Sequence, residues 1–211
     1  MENKKMKLWK KILIIFIALV IILIIFVLRK YIIITNLINV SKEYESKTNY
    51  IVDVYSLQEN GVTMIKSYRK ADDYLSTYKY FNNNTEDREF IVYNKDNEKI
   101  GIIQSGETKI ALLNGSVVGG ETSVNTFNIF AEPITKLQLS IIAKIKSEKV
   151  NNKECYLLEL SDDYRIWVEK ETGIIIKEMQ SNNTTNRKYT FDIVTDENIQ
   201  KPDISDCKIQ E

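Results

Sequence analysis

The run NYIVDVYSLQENGVTMIKSYRK, residues 49–70, decides the fold class. Two β-rich stretches flank Glu59-Asn60-Gly61, and Asn-Gly between alternating apolar and polar residues is the strongest short-range hairpin signal. Working downstream, DYLSTYKYF leads through the polar NNNTED to REFIVYN, then through the turn KDNE to KIGIIQ, then through Ser-Gly to TKIALLN. That makes six strands whose connections suit an antiparallel meander.

The period then changes. Gly119-Gly120 precede a region, residues 123–139, where Phe127, Phe130, Ile134 and Leu137 recur at intervals of three and four, with Pro133 marking a kink or a first helical turn. One or two short helices are expected here, covering a face or an open end of the sheet. Strands resume with SIIAKIKSEKV, ECYLLEL, YRIWVEK, GIIIKEMQ and RKYTFDIV, separated by turn residues such as Asn151-Asn152 and Glu171-Thr172-Gly173. About eleven strands in two antiparallel runs predict a strongly curved sheet, because a twisted sheet this wide curls.

Upstream, residues 12–28 form seventeen consecutive residues without a charge or strong polar group, preceded by Lys4, Lys5, Lys7, Lys10 and Lys11 and followed by Arg29 and Lys30. At 1.5 Å per residue the run covers about 25 Å, and flanking lysines can snorkel to complete a hydrocarbon core of about 30 Å. No small-residue cleavage site follows it, so the expectation is an uncleaved single-pass anchor, not a signal peptide. The lysine-rich side stays in the cytoplasm, and residues 31–211 are expected outside the cell as one domain. Leu37, Val40 and Tyr44 at helical spacing predict a second helical stretch between the anchor and the first strand.

The first thirty residues carry seven of the 29 basic groups and one of the 29 acidic groups, leaving 22 and 28, a net charge near −6, for the rest. Nucleic acid is thereby an unsuitable partner, since such binding rests on clustered Lys and Arg. Histidine is absent, which excludes Ser-His-Asp, Cys-His and HExxH chemistry. The acid pairs Asp72-Asp73 and Asp162-Asp163 stand at turns, where Asp serves the backbone. Asp96, Asn97 and Glu98 lack the spacing and glycine of a calcium loop. The Asn-x-Ser/Thr matches at Asn83, Asn114, Asn182 and Asn183 are expected by chance in an asparagine-rich chain. No catalytic residue, metal site or cofactor is expected. The only cysteines, Cys155 and Cys207, are a candidate disulfide that would close a 53-residue loop. Such a bond stabilises by about 4 kcal/mol on the chain-entropy model.

Strand alternation places Tyr156, Leu158 and Leu160 on one face, as it does Ile166 with Val168 and Tyr189 with Phe191 and Ile193. The other face carries Arg165, Glu169, Lys188 and Asp192, with Trp167 the exception among the charges. Trp167 is the partner-contact candidate, because aromatic anchors are enriched at binding hot spots.

The run EKVNNKECYLLELSDDYRIWVEKETGIIIKEMQ, with YTFDIVTDENIQKPDIS after it, resembles the second half of LolA-like lipoprotein carriers and the N-terminal domain of RseB-type envelope regulators. The shared features map onto residues 150–156, 166–177 and 191–204. The resemblance implies a curved, mainly antiparallel sheet of about eleven strands, an open half-barrel covered by short helices; with the N-terminal transmembrane helix read from the apolar run, the fold class expected is α+β. The resemblance also implies an apolar cavity for acyl chains or hydrophobic peptides, with Phe127, Phe130, Tyr156, Leu158, Ile166, Val168 and Phe191 as candidates to line it. The chain departs from the carriers in keeping an anchor. The function expected is a non-catalytic domain that binds or senses a lipid or hydrophobic ligand at the cell envelope. The alternative is a protein–protein interaction module or accessory subunit of an envelope complex, with a filled core and no ligand.

Overall fold

The structure is a computed structural model that describes residues 2–82, 85–113 and 123–210. It opens with a single helix, α1 (Glu2–Glu45), of 44 residues. The two helical stretches expected on either side of Lys30 are thus one uninterrupted rod, about 66 Å long at 1.5 Å per residue. No glycine or proline occurs between residues 2 and 45, so nothing in the sequence breaks it. The stretch from Trp9 is long and apolar enough to cross a membrane, and none of its most apolar window is buried. From Ile34 onward one stripe of the same helix becomes core: Ile34, Leu37, Ile38 and Ser41 are almost wholly buried.

A meander of six strands follows: β1 (Asn49–Gln58), β2 (Gly61–Lys70), β3 (Asp73–Asn82), β4 (Thr85–Lys95), β5 (Glu98–Ser105) and β6 (Thr108–Leu113). The expected insert is a 3-10 turn, Phe127–Phe130, and a helix, α2 (Pro133–Ile142), with Pro133 in its first turn, where its missing N–H costs nothing. The second meander comprises β7 (Lys144–Val150), β8 (Lys153–Glu159), β9 (Tyr164–Glu169), β10 (Ile175–Gln180) and β11 (Asn183–Phe191), and a short β12 (Lys208–Gln210) ends the described chain. The Ser140-Ile141-Ile142 stretch, read above as the start of a strand, closes α2 instead. Ser140 Oγ donates to the Lys136 carbonyl at 2.6 Å, and the Ala143 amide to that of Leu139.

Among the described residues the strands form one twelve-stranded sheet in the order β12-β6-β5-β4-β3-β2-β1-β11-β10-β9-β8-β7. Every pairing is antiparallel except β12 with β6. The meanders join where β1 pairs β11, Tyr50 opposite Phe191 and Leu57 opposite Thr184. Tight turns follow the chemistry expected: Asp96-Asn97 and Asn151-Asn152 both take positive φ, as a two-residue hairpin loop of the primed type requires. The edge strands are poor templates for further pairing, β12 because it has three residues and β7 because it presents Lys144, Lys146 and Lys149. The Gly119-Gly120 break, Asn83 and Asn114 lie outside the described residues.

Both faces of the sheet carry apolar cover, where the sequence suggested one oily and one charged face. On one side, Ile34, Leu37 and Ile38 of α1 pack with Phe127, Leu139, Leu158, Ile166, Val168 and Ile175. On the other, Tyr68, Leu75, Tyr93 and Ile100 stand opposite one another on successive strands, and the tail residues Val194, Ile199 and Ile204 cover them. A third cluster ties the meanders together, drawing Tyr50, Val52 and Val54 from β1, Leu157 from β8, Trp167 from β9 and Tyr189 from β11. Tyr44, near the end of α1, meets Phe191 edge-on with ring centroids 5.2 Å apart.

At the β9–β10 turn α1 comes close to the sheet backbone. Gly173 takes φ +66°, and a Cβ there would stand 2.5 Å from the Leu37 carbonyl oxygen and 2.6 Å from Ser41 Cβ. Its carbonyl accepts the Phe127 amide at 2.7 Å, so one residue seats both the helix and the insert. Glu169 supports the turn, accepting from Thr172 Oγ1 at 2.8 Å and from Lys153 Nζ at 2.9 Å. Replacing Gly173 with Ala is predicted to lower stability by at least about 2 kcal/mol, from left-handed backbone strain plus the clash. Gly106→Ala is the control, with φ +57° and nothing within 4 Å, and is predicted to show the strain alone. Thermal unfolding of the detergent-solubilised chain reads the difference.

Candidate functional site

Four of the residues expected to line a ligand cavity, Phe127, Leu158, Ile166 and Val168, come together, but each is fully buried against α1. The space that a ligand would take under the insert is occupied by Ile34, Leu37 and Ile38. Phe130 packs at the margin of that cluster, its ring 5.0 Å from Phe127, while Phe191 belongs to the cluster that joins the meanders. Tyr156 borders open space. With Ile25, Leu28, Arg29, Ile32 and Ile33 it lines a groove of about 450 Å³ beside α1.

Trp167 is not an exposed anchor. It is 7 % exposed, its indole N–H donates to Glu148 Oε2 at 2.7 Å, and the Lys177 ammonium lies 4.4 Å from its ring centroid. Lys177, its cross-strand partner on β10, roofs the ring and Glu148 on β7 takes its N–H, so charged side chains form its cover. The cysteines do not pair: both are free thiols. The sheet order explains this, because β8 lies one strand from one edge whereas Cys207 precedes β12 at the other. Burial pushes the Cys155 thiol above its ordinary pKa, and burial followed by the Asp206 carboxylate does so for Cys207. The acid pairs stand at turns, Asp72 between β2 and β3 and Asp162-Asp163 between β8 and β9, with the Asp163 carbonyl accepting the Ser181 amide at 2.7 Å.

The larger opening is a groove of about 610 Å³ over the centre of the sheet. Two cross-strand rows build its floor. Lys188, Asp53, Lys66 and Thr77 stand opposite one another on β11, β1, β2 and β3, and Asn186, Tyr55, Met64 and Lys79 form the next row. Asn151, in the β7–β8 turn, joins the lining. Tyr55 and Met64 remain 41 % and 42 % exposed, so the floor offers apolar surface between lysines. Lys66 and Lys188 flank the single carboxylate of Asp53. The outer cations are engaged, Lys79 with Glu86 and Glu89 at 3.2 Å each and Arg187 with Glu178 at 3.4 Å. The Tyr68 hydroxyl, then the Asp53 carboxylate, hold Lys66 above the usual lysine range against opposing desolvation. It therefore stays cationic at neutral pH. This groove escaped the sequence reading because its two rows come from four strands whose registers the residues do not announce; the alternation of Asp53 with Tyr55 and of Met64 with Lys66 was its only signal.

Tyr164 supplies a pH handle on the fold. Burial, reinforced by Glu178, which its hydroxyl meets at 3.0 Å, pushes its pKa to about 12. A raised pKa means that the folded state favours the protonated phenol. Its stabilisation is complete below the unfolded value of about 10 and is lost as pH rises towards about 12. Stability is predicted to fall through that window, and Tyr164→Phe to flatten the fall, as read by the melting temperature against pH. Trp167→Ala is predicted to destabilise by about 3–5 kcal/mol, the cost of emptying a buried aromatic site. Denaturant unfolding measures this, and a loss below about 1 kcal/mol would restore Trp167 as a surface residue.

No family model matches the sequence, and no curated protein does. Among solved structures the chain is similar to the crystal structure of MucB, at a TM-score of 0.43 and 10 % identity over 82 % of this chain and 64 % of that one. It is also similar to the crystal structure of MucB in complex with MucA(peri), at a TM-score of 0.42 and 8 % identity over 84 % and 61 %. The chain thus spans less than two thirds of the length of these two MucB chains.

Proposed function

We propose that this chain is a single-pass membrane protein whose residues 1–30 form a cytoplasmic tail and anchor. Residues 31–211 form a non-catalytic interaction domain outside the cytoplasm, which holds a protein partner in the groove over β11, β1, β2 and β3. The observation that carries this reading is the contrast between the interior under the insert and the centre of the sheet. The interior beneath the insert is filled by the protein's own helix, whereas the central groove is open and combines Tyr55 and Met64 with Lys66 and Lys188. Exposed aromatic and methionine side chains ringed by charge are the usual composition of a partner site. The occupant that fits is a partner segment carrying an acidic residue beside an apolar one. The absence of histidine and the placement of the acid pairs at turns support a role without catalysis.

Lys-rich flanking sequence before the apolar run supports the cytoplasmic placement of the N-terminus. A hydrophobic ligand is the second reading, favoured by the groove of about 450 Å³ between Tyr156 and the isoleucines of α1, whose lining is mostly apolar.

A photo-crosslinking amino acid at Tyr55 or Met64 of the full chain, expressed in a bacterial envelope, is predicted to give a protein adduct of one discrete mass. The double reversal Lys66→Glu and Lys188→Glu is predicted to weaken that partner by about tenfold at low salt, with a deficit that shrinks as salt screens the charges. Its folding is expected to stay unchanged, both side chains being exposed. No adduct at either position, or an adduct indifferent to the reversal, would refute the groove as the binding site.

A further inference from the structure

The helix α2 is apolar on both sides. Leu139 and Ser140 are buried against the core, yet Ile134, Leu137, Ile141 and Ile142 point outward at 71 %, 51 %, 58 % and 59 % exposure. Their spacing i, i+3, i+7, i+8 makes one stripe, and Ile129 of the preceding 3-10 turn is 64 % exposed as well. A soluble domain gains nothing from so much bare isoleucine. The position of the stripe along α1 identifies what covers it. Lys30 Nζ reaches the Ile141 carbonyl at 3.4 Å, and the Lys136 ammonium lies 5.9 Å from the Tyr31 ring centroid. Thus α2 lies beside α1 at the residues where the apolar run ends and Arg29 and Lys30 begin. Leu28 and Ile32 of α1, at the same level, are exposed as well. Lysine, arginine and tyrosine gathered at that level are the side chains found where hydrocarbon gives way to headgroups.

We infer that α2 is a membrane-seating element: its isoleucine stripe enters the outer bilayer surface beside the anchor and fixes the height and tilt of the sheet above the lipid. Arg29, Lys30 and Lys136 sit at the phosphates, and Glu132, just before α2, lies at its exposed N-terminal end. The inference rests on the anchored reading, and the test separates the two.

The full chain carrying Cys207→Ser, so that only the buried Cys155 thiol remains, receives a single new cysteine at Val20, Ile134, Ile141 or Tyr55. Each variant is labelled with an environment-sensitive fluorophore in vesicles of phosphatidylcholine and phosphatidylglycerol that carry nitroxide lipids. The label at Val20 reports the anchor, and strongest quenching by a nitroxide near the acyl-chain end is expected there. Labels at Ile134 and Ile141 are expected to be quenched most by a nitroxide close to the headgroup, and that at Tyr55 by neither. Quenching at Val20 with none at Ile134 and Ile141 overturns the seating while leaving the anchor. Blue-shifted but unquenched labels at those two sites also overturn it, in favour of a second protein chain on the stripe. No quenching at Val20 overturns both.

Discussion

The contact on which the molecule depends is the seating of the second half of α1 on the sheet. The twelve described strands have far more apolar surface than two short helices can cover, and the second half of the long N-terminal helix supplies the missing layer. Ile34, Leu37 and Ile38 fill the side of β8, β9 and β10. Gly173 sets how near the helix comes, since a Cβ there would strike the helix backbone itself. The Phe127 amide bonds to the same residue, so the insert is positioned by the same turn that receives the helix. Removing the helix would therefore uncover the core and loosen the insert together.

That arrangement also shapes what the domain offers to others. A half-barrel whose hollow was vacant would suit an acyl chain, but here the hollow is stoppered from within by the covalently attached helix. The opposite side of the first meander is closed by the tail, which lays Val194, Ile199 and Ile204 over Tyr93, Ile100 and Ile102. On that side a band stays accessible beside the tail, where β1 and β2 present Tyr55, Met64 and lysines to solvent. Lysines along β7 turn away edge-on association at the rim of the sheet.

Much of this architecture could be read from the residues. Turn chemistry located both meanders, since Asn151-Asn152, Asp96-Asn97 and Thr172-Gly173 each serve a backbone requirement that few other residues meet. Pro133 marked the start of α2. What local pattern did not reveal was long-range pairing: β1 with β11 joins residues about 140 positions apart, and no period of two encodes it. The same limit hid the groove. Charged neighbours along a strand do not imply solvent: Lys177 lies over the Trp167 ring and Glu148 accepts its N–H, which buries the side chain. The cysteines looked like a pair only while the order of strands was unknown.

The unbroken helix has a mechanical consequence. No flexible leash joins the apolar segment to the β layer: the domain is mounted on a stiff mast whose foot lies in that segment and whose head is cemented into the sheet. A few degrees of precession at the foot must swing the whole β layer through the same angle, and a turn of the mast about its axis must sweep the Tyr55 band around the compass. Orientation of the foot is thereby legible at the far side of the protein without any change in its internal packing.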